Sequence, residues 1–325
     1  MLYLSFFVST SNKTILDGSL PSAITKAASA LRRDLLVAIP TETVYGLAAR
    51  ASSPVAIRKI FVVKGRPASH PLILHIAKPD DLRKWATDIP SIAQKLVDKF
   101  WPGPLTIVVK RSANVCDEIT GGRDTVAIRC PDHRIAIELL ERLDDAIVAP
   151  SANRFGRVSP TTANHVAHDL GQDVDLILDG GACKIGLEST IVDCTTNPPQ
   201  MLRAGAITAE AIQQFCLTEI DAPSGESRAS GMLEKHYAPN CIVELASSRK
   251  DAEARLANLE IDRRIAEIID FGSDLEKYAH EIYSRLREAD KRSVDVVVVV
   301  KPPMTGIGIA INERLKKASN SAVVD

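Results

Sequence analysis

Short apolar runs alternate with longer segments of helical period over most of this chain, from Leu35 onward. The apolar runs include LLVAIP, LTIVVK, TVAIRCP, AIVAPSAN, DLILDGG and STIVDC, whereas PVAIRKIFVV and AIELLERL have the spacing of helices. Strands that alternate with helices predict an α/β sheet. Ser53 before Pro54 is typical of a capped helix start, and WPGP at 101–104 predicts a stop ahead of the strand LTIVV.

A break in this pattern predicts two domains joined by a linker. The stretch APSGESRASGMLEKHYAPN, between about Ile220 and Asn240, is rich in Pro, Gly and Ser. After it, the sequence shows the strand-then-helix pattern three times, as in a small Rossmann-like unit. Since 325 residues suffice for a large and a small domain, we expect a large α/β domain over 1–216, a linker over 217–239 and a Rossmann-like domain over 240–325.

Composition limits the partners and the location of the chain. The 40 Lys and Arg nearly balance the 41 Asp and Glu, so any anion site must be local rather than a broad basic surface. The six cysteines form no C-x-x-C pair, which indicates reduced thiols. The opening MLYLSFFV lacks a basic start and a cleavage site, and the later run from Val296 to Val300 is far shorter than the ~20 residues of a membrane span. We therefore expect a cytoplasmic protein.

The common signatures of nucleotide and metal sites are missing from the sequence. There is no G-x-x-x-x-G-K-[ST], no G-x-S-x-G and no H-E-x-x-H, and Ile311 replaces the third glycine of a G-x-G-x-x-G that begins at Gly306. His165 and His168 stand three apart on a predicted helix, and such a pair is more often a solvated face than a metal site. We expect no protein-bound metal, and phosphates must be held in another way.

Polar clusters instead stand where predicted strands end, which is where open α/β sheets bind ligands. In PTETVYGLA, Thr41, Thr43 and Tyr45 alternate after an apolar run, so their hydroxyls are expected to point together. Lys64 and Arg66 follow a predicted helix, and both could neutralise phosphates. Charges that answer the helix dipole are the alternative interpretation for this pair.

Three further clusters complete the set. In TVAIRCPDH, Thr125 and Arg129 fall on one face of a strand, and Arg129 could clamp a carboxylate or form a surface ion pair. AIVAPSAN, followed by SPTTA at 159–163, has the small residues and turn of an anion-binding nest. ESTIVD and MLRAG contribute Ser189 and Arg203. Each signal is weak alone, but five polar clusters in one domain predict a shared binding site.

In this order, PTETVYGLA, KGRP, RCPDH, APSAN, SPTTA, ESTIVD and MLRAG resemble the YrdC-like threonylcarbamoyl-AMP synthases over about 35–215. The linker SGMLEKHYAP and the closing GIGIAINERLKKA resemble the long, two-domain form. The resemblance implies a twisted open α/β sheet around a positively lined cavity that holds ATP and L-threonine, with Mg²⁺ on the phosphates. The implied reaction forms threonylcarbamoyl-AMP and pyrophosphate from L-threonine, bicarbonate and ATP. Downstream proteins would transfer the product to tRNA, without a need for direct tRNA binding.

The resemblance also assigns residues. The gate across the cavity mouth would be His236 and Tyr237 of the linker. Lys64 and Arg66 would supply the catalytic charge. The threonine site would consist of Thr43, His75, Arg129, Ser151 and Ser189, and the ATP site of Lys64, Arg66, His70, Thr125, Asn153, Thr161 and Arg203.

Two alternatives remain open at this point. A carbamoyltransferase of the same fold would carry zinc-finger and acylphosphatase-like modules, which this sequence lacks. A non-catalytic RNA-binding module would require a broad basic surface, whereas the net charge is −1.

Overall fold

A ten-stranded mixed sheet and a three-stranded parallel sheet form the framework of the protein, in a computed structural model that describes residues 15–224 and 237–320. The prediction of a twisted α/β sheet with a second, smaller α/β unit is confirmed. The elements up to residue 216 are β1 (Ile15–Asp17), α1 (Pro21–Arg32), β2 (Val37–Ile39), β3 (Gly46–Arg50), α2 (Pro54–Lys64), β4 (Ile73–His75), α3 (Leu82–Trp85), α4 (Ser91–Phe100), β5 (Leu105–Lys110), α5 (Asp117–Thr120), β6 (Thr125–Arg129), α6 (Arg134–Leu143), β7 (Ile147–Val148), α7 (Ala163–Leu170), β8 (Leu176–Asp179), β9 (Thr190–Asp193), β10 (Gln200–Arg203) and α8 (Ala209–Cys216).

The C-terminal unit repeats strand and helix three times, as its sequence predicts. Its elements are β11 (Ile242–Ala246), α9 (Arg249–Ile261), β12 (Ala266–Ile269), α10 (Leu275–Lys291), β13 (Val296–Val300) and α11 (Ile307–Ser319). Its strands run parallel in the order β11-β13-β12, so the last strand lies in the middle.

Helix α2 begins and ends where its sequence predicts. The hydroxyl of Ser53 accepts a hydrogen bond from the backbone N–H of Ala56 at 3.2 Å, and Pro54 occupies the first turn, where its missing N–H costs nothing. Gly65 ends the helix with a φ of 64°, a left-handed conformation that glycine adopts without steric cost. The helix therefore delivers Lys64 and Arg66 to a defined position beside the sheet.

On one side of the large sheet, the carboxyl ends of some strands lie beside the amino ends of others. Strands β4 and β6 run parallel and pair His75 with Arg129, each at the end of its strand. Strand β5 is antiparallel to β6 and parallel to β9, and it pairs Leu105 with Thr190. Ser189, which precedes β9, therefore lies near the carboxyl ends of β4 and β6. A mixed sheet brings together residues that follow strands and residues that precede them.

One buried apolar cluster joins the C-terminal unit to loops of the large unit. Val44, Val158 and Leu187, from loops of the large unit, belong to the same buried cluster as Tyr278 and Ile311 of the C-terminal helices. The C-terminal unit therefore packs directly on the loops that carry the polar clusters. Within residues 15–224 and 237–320, no helix combines the length and apolarity needed to cross a bilayer.

Candidate active site

A cavity of about 50 Å³ gathers most of the predicted site residues. All five residues assigned to threonine line it, together with Arg66 and Arg203 from the nucleotide set and Tyr237 from the gate. A larger cleft of about 820 Å³, which includes Glu42 and His133, contains none of the predicted residues. The wall of the smaller cavity consists of Thr43, Val44, Arg66, Ile73, His75, Arg129, Ala149, Pro150, Ser151, Glu188, Ser189, Arg203 and Tyr237.

Arg129 is held on three sides. Its Nη1 donates to Thr43 Oγ1 at 2.8 Å, its Nε donates to the carbonyl of Gly103 at 3.3 Å, and its Nη2 lies 2.6 Å from Glu42 Oε1. The hydroxyl of Thr43 is in turn 2.8 Å from that of Thr41. The guanidinium is therefore fixed in place and paired with a buried carboxylate rather than with a surface charge.

Arg203 and Ser189 form a second fixed group. Arg203 donates through Nε to the Ser189 carbonyl at 2.8 Å and through Nη2 to the Ser189 hydroxyl at 2.9 Å. That hydroxyl also lies 2.8 Å from Thr106 Oγ1 on β5. Burial lowers the pKa of Arg203, and the nearby Tyr237 and Glu188 oppose this shift.

Burial and the neighbouring Arg129 lower the pKa of His75 to about 3. Its Nδ1 is 3.1 Å from the Ile73 carbonyl, which fits a neutral ring that donates from Nδ1. His75 is therefore neutral at physiological pH. Its other ring nitrogen, Nε2, is then an acceptor, and the ring adds no charge to the cavity.

Arg66 keeps its charge although it is buried. Its Nη2 donates to the Pro71 carbonyl at 3.0 Å. Burial, opposed by Tyr237, lowers its pKa to about 10, so the guanidinium stays protonated at neutral pH. The Arg66 Cζ lies 5.8 Å from the ring centre of Phe155, and the His70 ring lies 5.6 Å from the same ring. His70, outside the cavity wall, is thus linked to Arg66 through Phe155.

Lys64 lies beneath the cavity rather than in its wall. Its Nζ donates to the carbonyls of Ser151 at 2.6 Å and Asn153 at 2.5 Å, and burial together with Arg66 lowers its pKa well below the usual range. The side-chain amide of Asn153 donates to the carbonyls of Arg154 and Arg157, both at 2.8 Å. These contacts fix the loop after β7, which carries Ser151.

The remaining nucleotide candidates lie farther from the cavity. Thr125 opens β6 and Arg129 closes it, so the two are separated by about 13 Å along one face of the strand. The hydroxyl of Thr161 lies 3.1 Å from that of Ser284 on α10, and 3.4 Å from Nδ1 of His165. His165 is therefore half-buried, whereas the sequence had predicted a surface residue.

One expected geometry is wrong, and one residue was missed. The hydroxyl of Tyr45 points away from those of Thr41 and Thr43 and donates to the Gly181 carbonyl at 2.8 Å. Glu188 is the only carboxylate among the described residues of the cavity wall, and sequence reasoning considered its neighbour Ser189 alone. The position of Glu188 inside ESTIVD was the available signal. His236 lies outside the described residues.

Two family models and two relatives match nearly the whole chain. The family Sua5_yciO_yrdC, described as "Telomere recombination", matches residues 29–205, and the "Threonylcarbamoyl-AMP synthase, C-terminal domain" family matches 207–320. The threonylcarbamoyl-AMP synthase of Pyrococcus abyssi is 40% identical, and the match covers 92% of this chain and 94% of the relative. The threonylcarbamoyl-AMP synthase of Bacillus subtilis is 37% identical, and the match covers 93% of this chain and 94% of the relative.

Shorter and solved relatives complete the comparison. A putative threonylcarbamoyl-AMP synthase of Mycobacterium tuberculosis is 33% identical and covers 62% of this chain but 91% of its own. The crystal structure of P. abyssi Sua5 complexed with L-threonine superposes with a TM-score of 0.87 at 39% identity, over 91% of this chain and 94% of that chain.

The fold and the cation-lined cavity define an enzyme of the YrdC-like class, of the nucleotidyltransferase type. The chain belongs to the threonylcarbamoyl-AMP synthase family, in its long form with the Sua5-type C-terminal domain. This membership favours a synthase over the RNA-binding module and over the carbamoyltransferase.

Proposed function

We propose that this cavity forms threonylcarbamoyl-AMP and pyrophosphate from L-threonine, bicarbonate and ATP. The observation that carries the proposal is the convergence of three guanidinium groups, from Arg66, Arg129 and Arg203, on one small polar cavity. Both reacting partners are anions, so the enzyme must hold them together against their repulsion. Fixed cations that need no reorganisation are an efficient means to this end.

Threonine would occupy the part of the cavity at Arg129. Thr43, Ser151 and Ser189 offer hydroxyl groups there, and neutral His75 offers a ring nitrogen. Arg129 is held in place there by Thr43 and Glu42. The P. abyssi relative was crystallised in complex with L-threonine, which supports threonine as the amino-acid substrate.

The nucleotide would extend from Arg66 and Arg203 toward Thr125. The face of β6 between Thr125 and Arg129 is about 13 Å long, which accommodates a nucleotide beside an amino acid. We propose that Arg66 and Arg203 contact the phosphates, while Lys64 and Asn153 hold the loop beneath them. His70 and Thr161 would contact the nucleotide at the edges of this region.

The chemistry needs no protein nucleophile. The amine of threonine takes up bicarbonate with loss of water and gives a carbamate. A carbamate oxygen then forms a bond to the α-phosphorus of ATP, and the bond from that phosphorus to the bridging oxygen breaks, so that pyrophosphate leaves with the electron pair. The arginines stabilise the charge on the phosphoryl group during this transfer.

The cavity must widen before both substrates can bind. Its volume of about 50 Å³ is well below the roughly 300–1,000 Å³ of sites for ligands of this size. Tyr237 is part of the wall and is 1% exposed. We propose that Tyr237 and His236 form a gate at this wall, on a linker that joins a catalytic domain at 1–216 to a C-terminal domain at 240–325.

Mg²⁺ would enter with ATP rather than bind to the protein. Among the residues that the structure describes, no group of three or more His, Cys, Asp or Glu could hold a metal ion. Glu188 is engaged by protein donors, so the phosphates would supply the ligands. We also propose that the product passes, in the cytoplasm, to proteins that transfer it to tRNA.

Pyrophosphate release from ATP tests the proposed function. The full chain should release pyrophosphate when threonine, bicarbonate and Mg²⁺ are all present, and should stop when either threonine or bicarbonate is omitted. Equal release without threonine would contradict the proposal, because the carbamate nucleophile could not then form. Mass spectrometry of the product should show the threonylcarbamoyl group on AMP.

A further inference from the structure

Glu188 of the cavity wall is held by residues of the C-terminal unit. Its Oε2 accepts hydrogen bonds from Tyr283 Oη on α10 at 3.0 Å and from Arg314 Nε on α11 at 3.2 Å. Its Oε1 accepts a hydrogen bond from Ser159 Oγ at 2.5 Å. The side chains of Arg314 and Glu188 are 3% and 7% exposed, so the pair is shielded from solvent.

The same two C-terminal residues also contact the proposed gate. The ring of Tyr237 stacks on that of Tyr283 with 5.9 Å between their centres and an angle of 20° between their planes. Arg314 Cζ lies 5.4 Å from the centre of the Tyr237 ring. One arginine, outside the cavity wall, therefore contacts both a charged group and an aromatic group of that wall.

Glu188 has cations on two sides. Burial raises the pKa of this carboxyl group, but Arg314, and after it Arg203, outweigh burial and lower the pKa. Glu188 is therefore ionised beside the arginine that would meet the phosphates. A buried carboxylate without its own partner would attract Arg203 and reduce the charge available to an anionic ligand.

We propose that Arg314 is a positioning residue of the active site, which pairs with Glu188 from outside the cavity and so keeps this carboxylate from pairing with Arg203, the cation assigned to the phosphates of ATP. The inference rests on the proposed function, and it gives the C-terminal unit a direct part in nucleotide binding. Tyr283 assists by donating to the same carboxylate while it supports Tyr237.

Steady-state kinetics of pyrophosphate release test this role. Arg314→Met keeps an unbranched apolar stem and removes the charged guanidinium, and it should lower kcat/KM for ATP by about 10-fold or more. The loss should be mainly a rise in KM for ATP, with KM for threonine changed less. Arg314→Lys, which restores a cation, should recover part of the loss. Tyr283→Phe keeps the ring and should give a smaller loss in the same direction.

A matched control separates this role from the docking of the two units. Arg287 on α10 also forms a shielded ion pair across the same contact, with Asp169 at 2.6 Å, but neither residue lines the cavity. Arg287→Met should therefore keep KM for ATP within about 2-fold of the parent value. An equal rise in KM for ATP in both variants would overturn the proposal, because both would then only loosen the contact.

A double-mutant cycle with Glu188→Gln gives an independent test. If Arg314 acts by pairing with Glu188, then Arg314→Met should change KM for ATP much less in a Glu188→Gln background than in the parent. If the two substitutions change KM for ATP independently, so that the double variant shows the product of the two single effects, the inference is overturned. Absence of threonine-dependent pyrophosphate release from the parent protein would instead refute the proposed function, so the two failures are distinct.

Discussion

Arg129 Nη2 lies 2.6 Å from Glu42 Oε1, and both side chains are only 5% exposed. Arg129, which the sequence assigned to a substrate carboxylate, is therefore already paired. The position of its guanidinium depends in part on Glu42. A buried ion pair adds little net stability by itself, but the loss of one partner leaves an uncompensated charge in the interior. Glu42 thus controls both the stability of the site and the orientation of Arg129.

We expect Glu42→Gln to lower the free energy of unfolding by about 3–5 kcal/mol, because it removes one charge of this buried pair. Urea unfolding followed by circular dichroism measures the loss. The control is Glu253→Gln, which breaks an exposed pair with Arg249 whose side chains are 57% and 58% exposed. That variant should lose about 0.5 kcal/mol or less. Similar losses in the two variants would contradict the buried role of Glu42.

Arg66→Ala should abolish threonine-dependent pyrophosphate release while the circular dichroism spectrum stays unchanged. The pKa of Arg66 is about 10, so its charge, and the activity that depends on that charge, should persist from neutral pH to about pH 9. Arg58→Ala is the control, because Arg58 lies on α2 with a side chain 57% exposed and pairs only at the surface with Glu118. Near-normal turnover in Arg66→Ala would show that the assignment of this cation is wrong.

His75 should make the protein less stable in mild acid. Burial and Arg129 lower its pKa from 6.5 in the unfolded chain to about 3 in the folded one. The unfolded state therefore binds more protons between these values, and stability falls as the pH drops below about 6.5. We expect the loss from His75 to be roughly 1–2 kcal/mol between pH 7 and pH 5.

The variant His75→Gln should show a shallower fall in unfolding free energy over this pH range, measured by urea titration at each pH. It should keep part of the slope, because burial also lowers the pKa of His165 to about 4. The control His168→Gln alters a side chain that is 82% exposed, although it lies 3.3 Å from Asp169, and should change the slope much less than His75→Gln does. A parent-like slope in His75→Gln would mean that His75 is not buried in the neutral form.

Removal of Mg²⁺ with EDTA should stop pyrophosphate release, whereas equilibrium dialysis without ATP should detect no tightly bound Mg²⁺. Both expectations follow from the composition of the cavity wall, which offers cations and hydroxyl groups. Among the described residues of the wall, the single carboxylate is that of Glu188, and it already accepts hydrogen bonds from protein donors. Stoichiometric Mg²⁺ on the protein alone would show instead that protein carboxylates bind the metal.

Local sequence signals predicted the elements of the fold and much of the cavity. The capped start of α2 and the strands β5 and β6 follow from residues adjacent in the chain. The family resemblance, which rests on the ordered motifs, implied the five residues assigned to threonine, and the structure brings these residues together in one cavity wall. The reason is that each motif stands at a strand end or in a loop next to the sheet.

Contacts between distant segments were not predictable in this way. Glu188 and Arg314 are 126 residues apart, and neither lies in a pattern that indicates the other. The direction of the Tyr45 hydroxyl depends on Gly181, which a neighbouring loop brings into reach. Alternation along PTETVYG indicated which face each side chain occupies, but tertiary contacts decide where the hydroxyl finds its acceptor.

The apolar cluster that joins the C-terminal unit to loops of the large unit limits how the chain could be shortened. Val44 and Leu187, which adjoin Thr43 and Glu188 of the active site, are buried in part by residues of the C-terminal helices. A chain cut after α8 would present these side chains to water, next to the catalytic groups. Trimming this enzyme to the size of its short relatives would therefore require new polar residues at these two positions.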